Sequence, residues 1–494
     1  MGIARTPQQR NVGNPMAIRL IDRLSGSAQF REMKSPFSLL SHAVAVGGLL
    51  LGIWLWFQPP PTEAMPEMMR IASVVVIAVS LWASGVFPEY FTAIIFFFLA
   101  MAFTGTGAPV VFSGFHSAAV WIIFGGLIIG TAVQETGFGK TLARALLRIF
   151  PRSYFGILSG ITVVGAVLCF IIPSNTGRIV IMMPIFMAMA DRVGFEIGSP
   201  GRAGLALAVC GGSVYPSLAV LPAAVPNVAW VGSVESIHGI RITFAEYLVA
   251  NFPVIGLISI LGIPVMCRVL FPAKVSDAPS DIGASEASIQ QTRLIIVLVA
   301  ALGLWMTDFI HGISPAWVAL GAAAVCMLPR VGTVPSSIMV GRVSYAPWFF
   351  VAGVIGMGAV VAKAGLGDHI SAFLFDAVPL TKGEDFRNFA TVSGVSMVIS
   401  LFTTVPGQPA IMTTLATDIS AATGWPLGTV LMMQPLSWAM SMFAYQFPPF
   451  ILAAHLGGIS SGNMAKMILA MWALAWVLML PLLFLWWQTI GYLG

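Results

Sequence analysis

An uncharged apolar run about twenty residues long begins near Phe37, and runs of this kind recur along the whole chain. Crossing the hydrocarbon core of a bilayer as a helix takes roughly 20 such residues. Lipid offers no partner for a bare amide or carbonyl, so runs like these span as helices rather than as open sheet. Spans are expected near 38–57, 70–87, 90–104, 118–135, 203–224, 247–270, 294–310, 315–329, 347–363, 428–455 and 465–490. Composition agrees: charged residues make up 9% and hydrophobic residues 58% of the 494 positions, against roughly a quarter charged in ordinary globular domains. The fold class is therefore an all-α polytopic membrane protein of about 11 transmembrane helices, and one membrane domain replaces the several soluble domains that length alone suggests.

The formal net charge of +5 does not point to nucleic acid, because the cations lie between apolar spans and no basic, aromatic-interleaved soluble stretch occurs. Loops facing the cytoplasm carry an excess of Lys and Arg. With the N-terminus inside, the inner loops collect the arm from Arg5 to Lys34, then Lys140, Arg144, Arg148, Arg152, Arg192, Arg202, Arg268, Lys274, Arg293, Arg330, Arg342 and Lys466. The outer loops receive Arg70, Arg241, Lys363, Lys382 and Arg387. This asymmetry predicts a multi-pass protein of the cell inner membrane with a cytoplasmic N-terminus and an external C-terminus. No cleavable signal peptide is visible. In the basic arm, residues 1–36, Arg19, Arg23, Arg31 and Lys34 alternate with Ile18, Leu20, Ile21 and Phe30. Such a segment lies on anionic lipid as an amphipathic helix or stays a disordered tail.

The four cysteines, Cys169, Cys210, Cys267 and Cys326, sit in apolar segments without CxxC spacing, which suits small packing residues better than disulfides or zinc. The six histidines form no HxxH or HExxH pattern, so no metal and no cofactor are expected beyond a coupling ion such as Na+.

The charge asymmetry holds only if two further apolar stretches, 155–191 and 387–421, return to the side they enter from. Each is expected to be a re-entrant hairpin. The first is interrupted by Ile171-Ile172-Pro173-Ser174-Asn175-Thr176-Gly177-Arg178, with Pro173 and Gly177 as breakers and Ser174, Asn175 and Thr176 as N-cap residue types. Its second arm reads as about 14 residues, roughly 21 Å, short of the bilayer core. The plain alternative is a Pro-kinked structural span. The second stretch is interrupted by Thr403-Thr404-Val405-Pro406-Gly407-Gln408-Pro409, and on the same register Gln408 falls opposite Arg178.

Other segments repeat as well. Trp121-Ile-Ile-Phe-Gly-Gly answers Trp348-Phe-Phe-Val-Ala-Gly, and Thr136-Gly-Phe-Gly answers Ala364-Gly-Leu-Gly. Gly211 to Pro216 with Val225-Pro226-Asn227 answers Ser441 to Gln446 with Pro448-Pro449-Phe450. The halves are read as inverted repeats: 37–272 with scaffold helices and an inner hairpin, a cytoplasmic linker 273–293, and 294–494 with scaffold helices and an outer hairpin. Paired broken elements in inverted halves point to a midplane substrate site. Each hairpin tip is expected to present the N-terminus of its second arm, whose free N–H groups favour an anion. A mobile cation near unwound carbonyls of 211–216 and 225–227 would offset the anion's charge.

Glu89, Glu135, Glu246 and Asp308 fall near span ends, which speaks against proton pumping and Na+/H+ exchange through a central carboxylate. Arg178 is the one strongly placed intramembrane charge. It serves an anion or, more plainly, pairs with nearby backbone carbonyls. A membrane enzyme would need a nucleophile with its base, and Ser174 has no His in its motif. Tyr215 and Tyr445 line a site or simply pack.

At the Ser174-Asn175-Thr176 tip, with weaker support from Pro226-Asn227 and the Gly-rich break before it, residues 40–490 resemble the divalent anion:sodium symporter family of dicarboxylate, citrate and sulfate carriers. The resemblance implies an elevator-type homodimer with a scaffold and a moving transport domain. It implies that Ser174, Asn175 and Thr176 touch substrate and help hold sodium. Two departures stand out: Thr404-Val405-Pro406 replaces a second Ser-Asn-Thr, and Phe450 replaces the Asn of a second Pro-Pro-Asn, leaving a second sodium site without its ligands. Ser-Asn-Thr followed by x-Arg resembles the sodium-independent exchangers of the family, the 2-oxoglutarate/malate translocators. There the guanidinium of Arg178 stands in for the first sodium.

The function expected is secondary transport of a small di- or tricarboxylate-like organic anion, by exchange or sodium symport. The alternatives are a sulfate, sulfonate or other inorganic-anion carrier of the same fold, and then an arsenite or Na+/H+ antiporter. The expected substrate contacts are Ser174, Asn175, Thr176, Arg178, Asn227, Thr403, Thr404 and Gln408. The expected cation positions are Ser174, Asn175, Gly212, Asn227 and Arg178. Besides substrate, lipid and a second copy of the chain are the expected partners.

Overall fold

The computed structural model describes residues 36–60, 66–147, 151, 153–275, 288–370 and 378–493. The expected basic arm, apart from Pro36, and most of the expected linker, 276–287, lie outside the described residues. The chain is helical, with no strand among the described residues. It is an all-α polytopic membrane protein. Among the described residues, five helices are long and apolar enough to cross a membrane: Ala118–Thr136, Phe244–Leu270, Ile289–Met306, Ala346–Lys363 and Ser461–Thr489. Five shorter apolar helices accompany them: Ser41–Trp56, Met68–Ser84, Glu89–Phe103, Tyr154–Cys169 and Pro315–Cys326.

Intact helices pack on one another in one group. Pro36–Trp56 (α1) packs on Met68–Ser84 (α2), Glu89–Phe103 (α3) on Ala346–Lys363 (α4), and Ala118–Thr136 (α5) on Pro315–Cys326 (α6). A second group collects the broken elements. Tyr154–Cys169 (α7) and Asn175–Arg192 (α8) are the arms of the first hairpin and pack on each other. Pro200–Val214 (α9) packs against both, and Leu257–Leu270 against α7 and α9. Val225–His238 (α10) joins the two groups, packing on α4 and α5 of the first and on the turn Leu221–Ala223 that follows α9 in the second.

Two expected spans are not continuous helices. The stretch 203–224 is α9 followed by 3-10 turns at Pro216–Ala219 and Leu221–Ala223. The stretch 428–455 is divided into Leu427–Met432, Gln434–Ala439, a 3-10 turn Ala444–Gln446 and Pro448–Gly457. Prolines at 216, 222, 226, 435, 448 and 449 sit in the first positions of the short pieces that follow each break, where a missing N–H leaves no helical bond unmade. Cohesion at the break comes from close backbone approach. A Cβ on Gly165 of α7 would stand 2.5 Å from the carbonyl oxygen of Gly212 in α9, so only glycine lets these backbones meet.

The carboxylates lie at helix ends, as the sequence implied. Glu89 opens α3, Glu135 is near the end of α5 and Glu246 is in the first turn of Phe244–Asn251. Asp308 is 2% exposed and accepts from the N–H groups of Phe244 at 2.6 Å and Ala245 at 3.5 Å. It caps a helix 64 positions away in sequence, satisfying donors that the helix itself cannot use. Asp308→Ala is expected to cost about 1–2 kcal/mol, seen as a lowered thermal midpoint in detergent, with Asp308→Asn retaining most of the stability.

Candidate functional site

The first hairpin turns at residues 170–174. Ser174 is the N-cap of α8, with extended φ and ψ of −159° and 115°, and its hydroxyl accepts from the Gly177 N–H at 3.1 Å. Gly177 therefore lies inside the helix rather than breaking it. The arm α8 has 18 residues, roughly 27 Å, longer than the expected 14. Pro184 is accommodated within it, and the arm exceeds the expected length because the helix already starts at Asn175, ahead of the expected breaker Gly177. Thr176 is exposed at the tip, Ser174 is half-buried and Asn175 is buried.

Arg178 is fully buried, and its fork is spent on the protein. Nε and Nη2 both donate to the carbonyl of Ser213, at 3.2 and 2.7 Å. Nη1 donates to the carbonyls of Ala223, at 3.1 Å, and Ile172. Nη2 also donates to Asn175 Oδ1. Each backbone acceptor sits at a break: Ile172 past the end of α7, Ser213 at the end of α9, Ala223 in a 3-10 turn. Carbonyls at helix C-termini lack intrahelical donors and carry partial negative charge. A guanidinium, with five N–H groups in a rigid plane, satisfies several at once.

The network runs on. Asn175 Oδ1 also accepts from Ser217 Oγ at 3.1 Å. Asn227, fully buried, donates from Nδ2 to the carbonyls of Ser217 and Val220, both at 2.8 Å, while its Oδ1 is left without a hydrogen bond. Asn175, Arg178 and Asn227 thus belong to one connected set, while Ser174 caps the helix that carries two of them. Gly212 neighbours it as the packing position already described.

The second hairpin has a different form. Its first arm is Asp385–Thr403, but the regular structure after the tip is a single turn, Pro409–Met412, before Ala416–Thr423. Pro409 has no N–H, and the N–H groups of Ala410, Ile411 and Met412 all bond to Gly407 or Gln408 carbonyls. The expected second helix N-terminus is therefore not presented, a correction whose cause is the Pro-Gly-Gln-Pro sequence itself. Thr403 Oγ1 donates to backbone carbonyls of Ile399 and Thr404, both at 3.1 Å. Gln408 is fully buried: Nε2 donates to the Ser396 carbonyl at 3.3 Å, to Ser396 Oγ and to Ser437 Oγ at 3.2 Å, and Oε1 accepts from Trp438 Nε1.

Thr404 is held at φ 64° and ψ 160°, a region that glycine alone enters readily. Its buried hydroxyl has no hydrogen-bond partner. Thr404→Gly is expected to raise stability by about 1 kcal/mol while removing a hydroxyl from the tip, measured as a higher thermal midpoint with weaker apparent affinity for solute.

Pro216–Ala219 packs against Gln434–Ala439, which joins the two hairpin networks. Gln446, absent from the expected site residues, is a main organiser: its Oε1 accepts from the N–H groups of Met442 and Phe443, its Nε2 donates to Ser400 Oγ, and its carbonyl accepts from the Val405 N–H of the tip. Its signal in sequence is a polar amide two residues before Pro448-Pro449 in an apolar span. Of the two tyrosines, Tyr445 donates to the Leu401 carbonyl at 2.7 Å, whereas Tyr215 is buried beside Phe450, its hydroxyl unbonded.

An all-helical bundle that buries polar hairpin tips among apolar spans defines a membrane transporter. The chain belongs to the family described as the sodium:sulfate symporter transmembrane region, which matches residues 40–493; this is the membership expected from the Ser174-Asn175-Thr176 tip. Among relatives, a membrane protein of Cupriavidus necator is 27% identical over 304 residues, 58% of each chain. The citrate/succinate antiporter of Escherichia coli K12 is 25% identical over 248 residues, 45% of this chain and 48% of that one. An L-tartrate/succinate antiporter of the same organism is 22% identical over 280 residues, 53% and 56%. The chain spans about half the length of the curated relatives it matches. The YdaH transporter of Alcanivorax borkumensis shares the fold with a TM-score of 0.52 and 14% identity, covering 93% of this chain and 99% of that one.

Proposed function

We propose that the protein exchanges small carboxylate anions across the cell inner membrane without a sodium ion. The observation that carries this reading is the Arg178 fork. The carbonyls of Ile172, Ser213 and Ala223 and the Asn175 amide oxygen form the kind of oxygen cage a hard cation takes. A covalently fixed cation already fills it, so sodium does not fit there. In the second hairpin, the Gln408 amide is likewise committed to Ser396, Ser437 and Trp438.

Exchange follows from the fixed charge. A sodium ion leaves with its solute, and the empty carrier can return uncharged. Arg178 cannot leave, so an empty carrier would have to return with a bare buried cation, which lipid opposes. The names of the citrate/succinate and tartrate/succinate antiporters support the same chemistry. Ser174, Thr176 and Thr404 hydroxyls and the Asn175 and Thr176 N–H groups at the α8 terminus would meet the solute's carboxylate. The broken elements, packed on intact helices through α10, suit an elevator working as a homodimer.

Labelled succinate, malate, 2-oxoglutarate and citrate should show saturable counterflow in proteoliposomes, unchanged within about twofold, a difference below 0.5 kcal/mol, when potassium replaces sodium. A strict sodium requirement would exclude exchange by this route. No saturable uptake of any of these, of sulfate or of a sulfonate would exclude a carrier altogether.

A further inference from the structure

Among the described residues, two charged side chains are buried: Arg178 and Asp308. Asp308 caps the helix at Phe244 and takes no part in the hairpin networks. Every hydrogen-bond acceptor around Arg178 is neutral. The matching position in the second hairpin, Gln408, is neutral too, and both ends of its amide are bonded. The titratable groups on elements packed against α8 do not alter the balance. Cys169 is a buried thiol, Cys210 and Tyr215 are buried, and the Tyr154 hydroxyl donates to the Phe271 carbonyl. Lys140, Arg144 and His455 are exposed. Asp191, thirteen residues along α8 and roughly 20 Å away, pairs with Arg202. The hairpin network therefore carries one positive charge.

We infer that the solute carries one net negative charge while it crosses, as a monocarboxylate or as a dicarboxylate holding one proton. This rests on the carrier reading and adds its charge stoichiometry. Helix ends orient an anion, but they are dipoles and leave the net charge of the moving body unchanged. One fixed cation with a singly charged anion makes a neutral load, the form that a low-dielectric barrier penalises least. A dianion would leave the load negative. For a dicarboxylate, the proton arrives with the solute and departs with it, so exchange of like for like moves no net charge.

The test is succinate counterflow at a fixed total concentration well below saturation, over a range of equal internal and external pH. On the alkaline side of succinate's second ionisation, uptake should rise about tenfold for each unit the pH is lowered, following the singly protonated species. Lactate, singly charged throughout, separates the two sources: competition at every pH assigns a monocarboxylate, and its absence alongside the pH slope assigns the protonated dicarboxylate. Uptake that stays flat or rises with pH, or sulfate competing as well as succinate, overturns the inference while leaving a carrier in place. No exchange at any pH of succinate, of the other carboxylates named above, of lactate, of sulfate or of a sulfonate removes the carrier reading and this inference with it. Gln408→Arg adds a second fixed charge and should flatten the slope, because the dianion then becomes the matched species and its fraction is constant in this range; a folded variant with the wild-type slope also overturns the inference. If that variant does not fold, the wild-type profile decides.

Discussion

Arg178→Ala is expected to lower sodium-free counterflow by at least about a hundredfold and to destabilise the protein by about 3–5 kcal/mol, the scale of an uncompensated buried polar network. The loss has two parts. The variant strands the carbonyls of Ile172, Ser213 and Ala223 and releases Asn175 from its donor. It also removes the fixed charge that makes exchange obligatory. Sodium should partly restore uptake, because the emptied oxygen cage then has room for a free cation. Arg178→Lys separates charge from geometry: an ammonium keeps the charge but cannot reach three diverging carbonyls with a planar fork, and at least a tenfold defect should remain. Counterflow with and without sodium, read beside thermal unfolding, checks all three statements. Wild-type exchange in Arg178→Ala would remove the central role given to the guanidinium.

The second large effect is expected at Gly126. A Cβ there would stand 2.5 Å from Pro173 Cγ and 3.0 Å from Pro173 Cβ. Pro173 immediately precedes the Ser174 cap, so even a methyl group pushes on the tip of the hairpin. Gly126→Ala should cost about 1–3 kcal/mol through overpacking and reduce transport by an order of magnitude or more. One turn along the same helix, Gly130→Ala provides the control. Its Cβ would meet Ile172 Cγ2 at 3.8 Å, an ordinary contact, and the variant should resemble wild type in uptake and thermal midpoint. Equal behaviour of the two variants would show that the tip tolerates displacement and that its geometry is not decisive.

Much of the architecture could be read from the chain because its signals are local. Apolar length and missing charge mark the spans, and Pro173-Ser174 announces the first hairpin within a few residues. The polar network could not be read in the same way. Which carbonyls receive the Arg178 fork depends on how α7, α9 and a 3-10 turn meet, and backbone acceptors have no letter of their own. The second hairpin misled for a related reason. Its match to the first is the register that sets Gln408 opposite Arg178, yet Pro409 and the turns after it deny the arm a long helix. Gln446 was overlooked because an amide in an apolar span has value only through its partners, and Val405 lies 41 positions away.

The partners of Arg178 also dictate an order of assembly. Its acceptors at Ser213 and Ala223 are synthesised 35 and 45 residues later. Until they emerge from the ribosome, the nascent loop holds an arginine whose entry into lipid costs roughly 2.5–3.5 kcal/mol. The first hairpin must therefore wait at the interface and sink into place only once the next crossing has arrived to receive it.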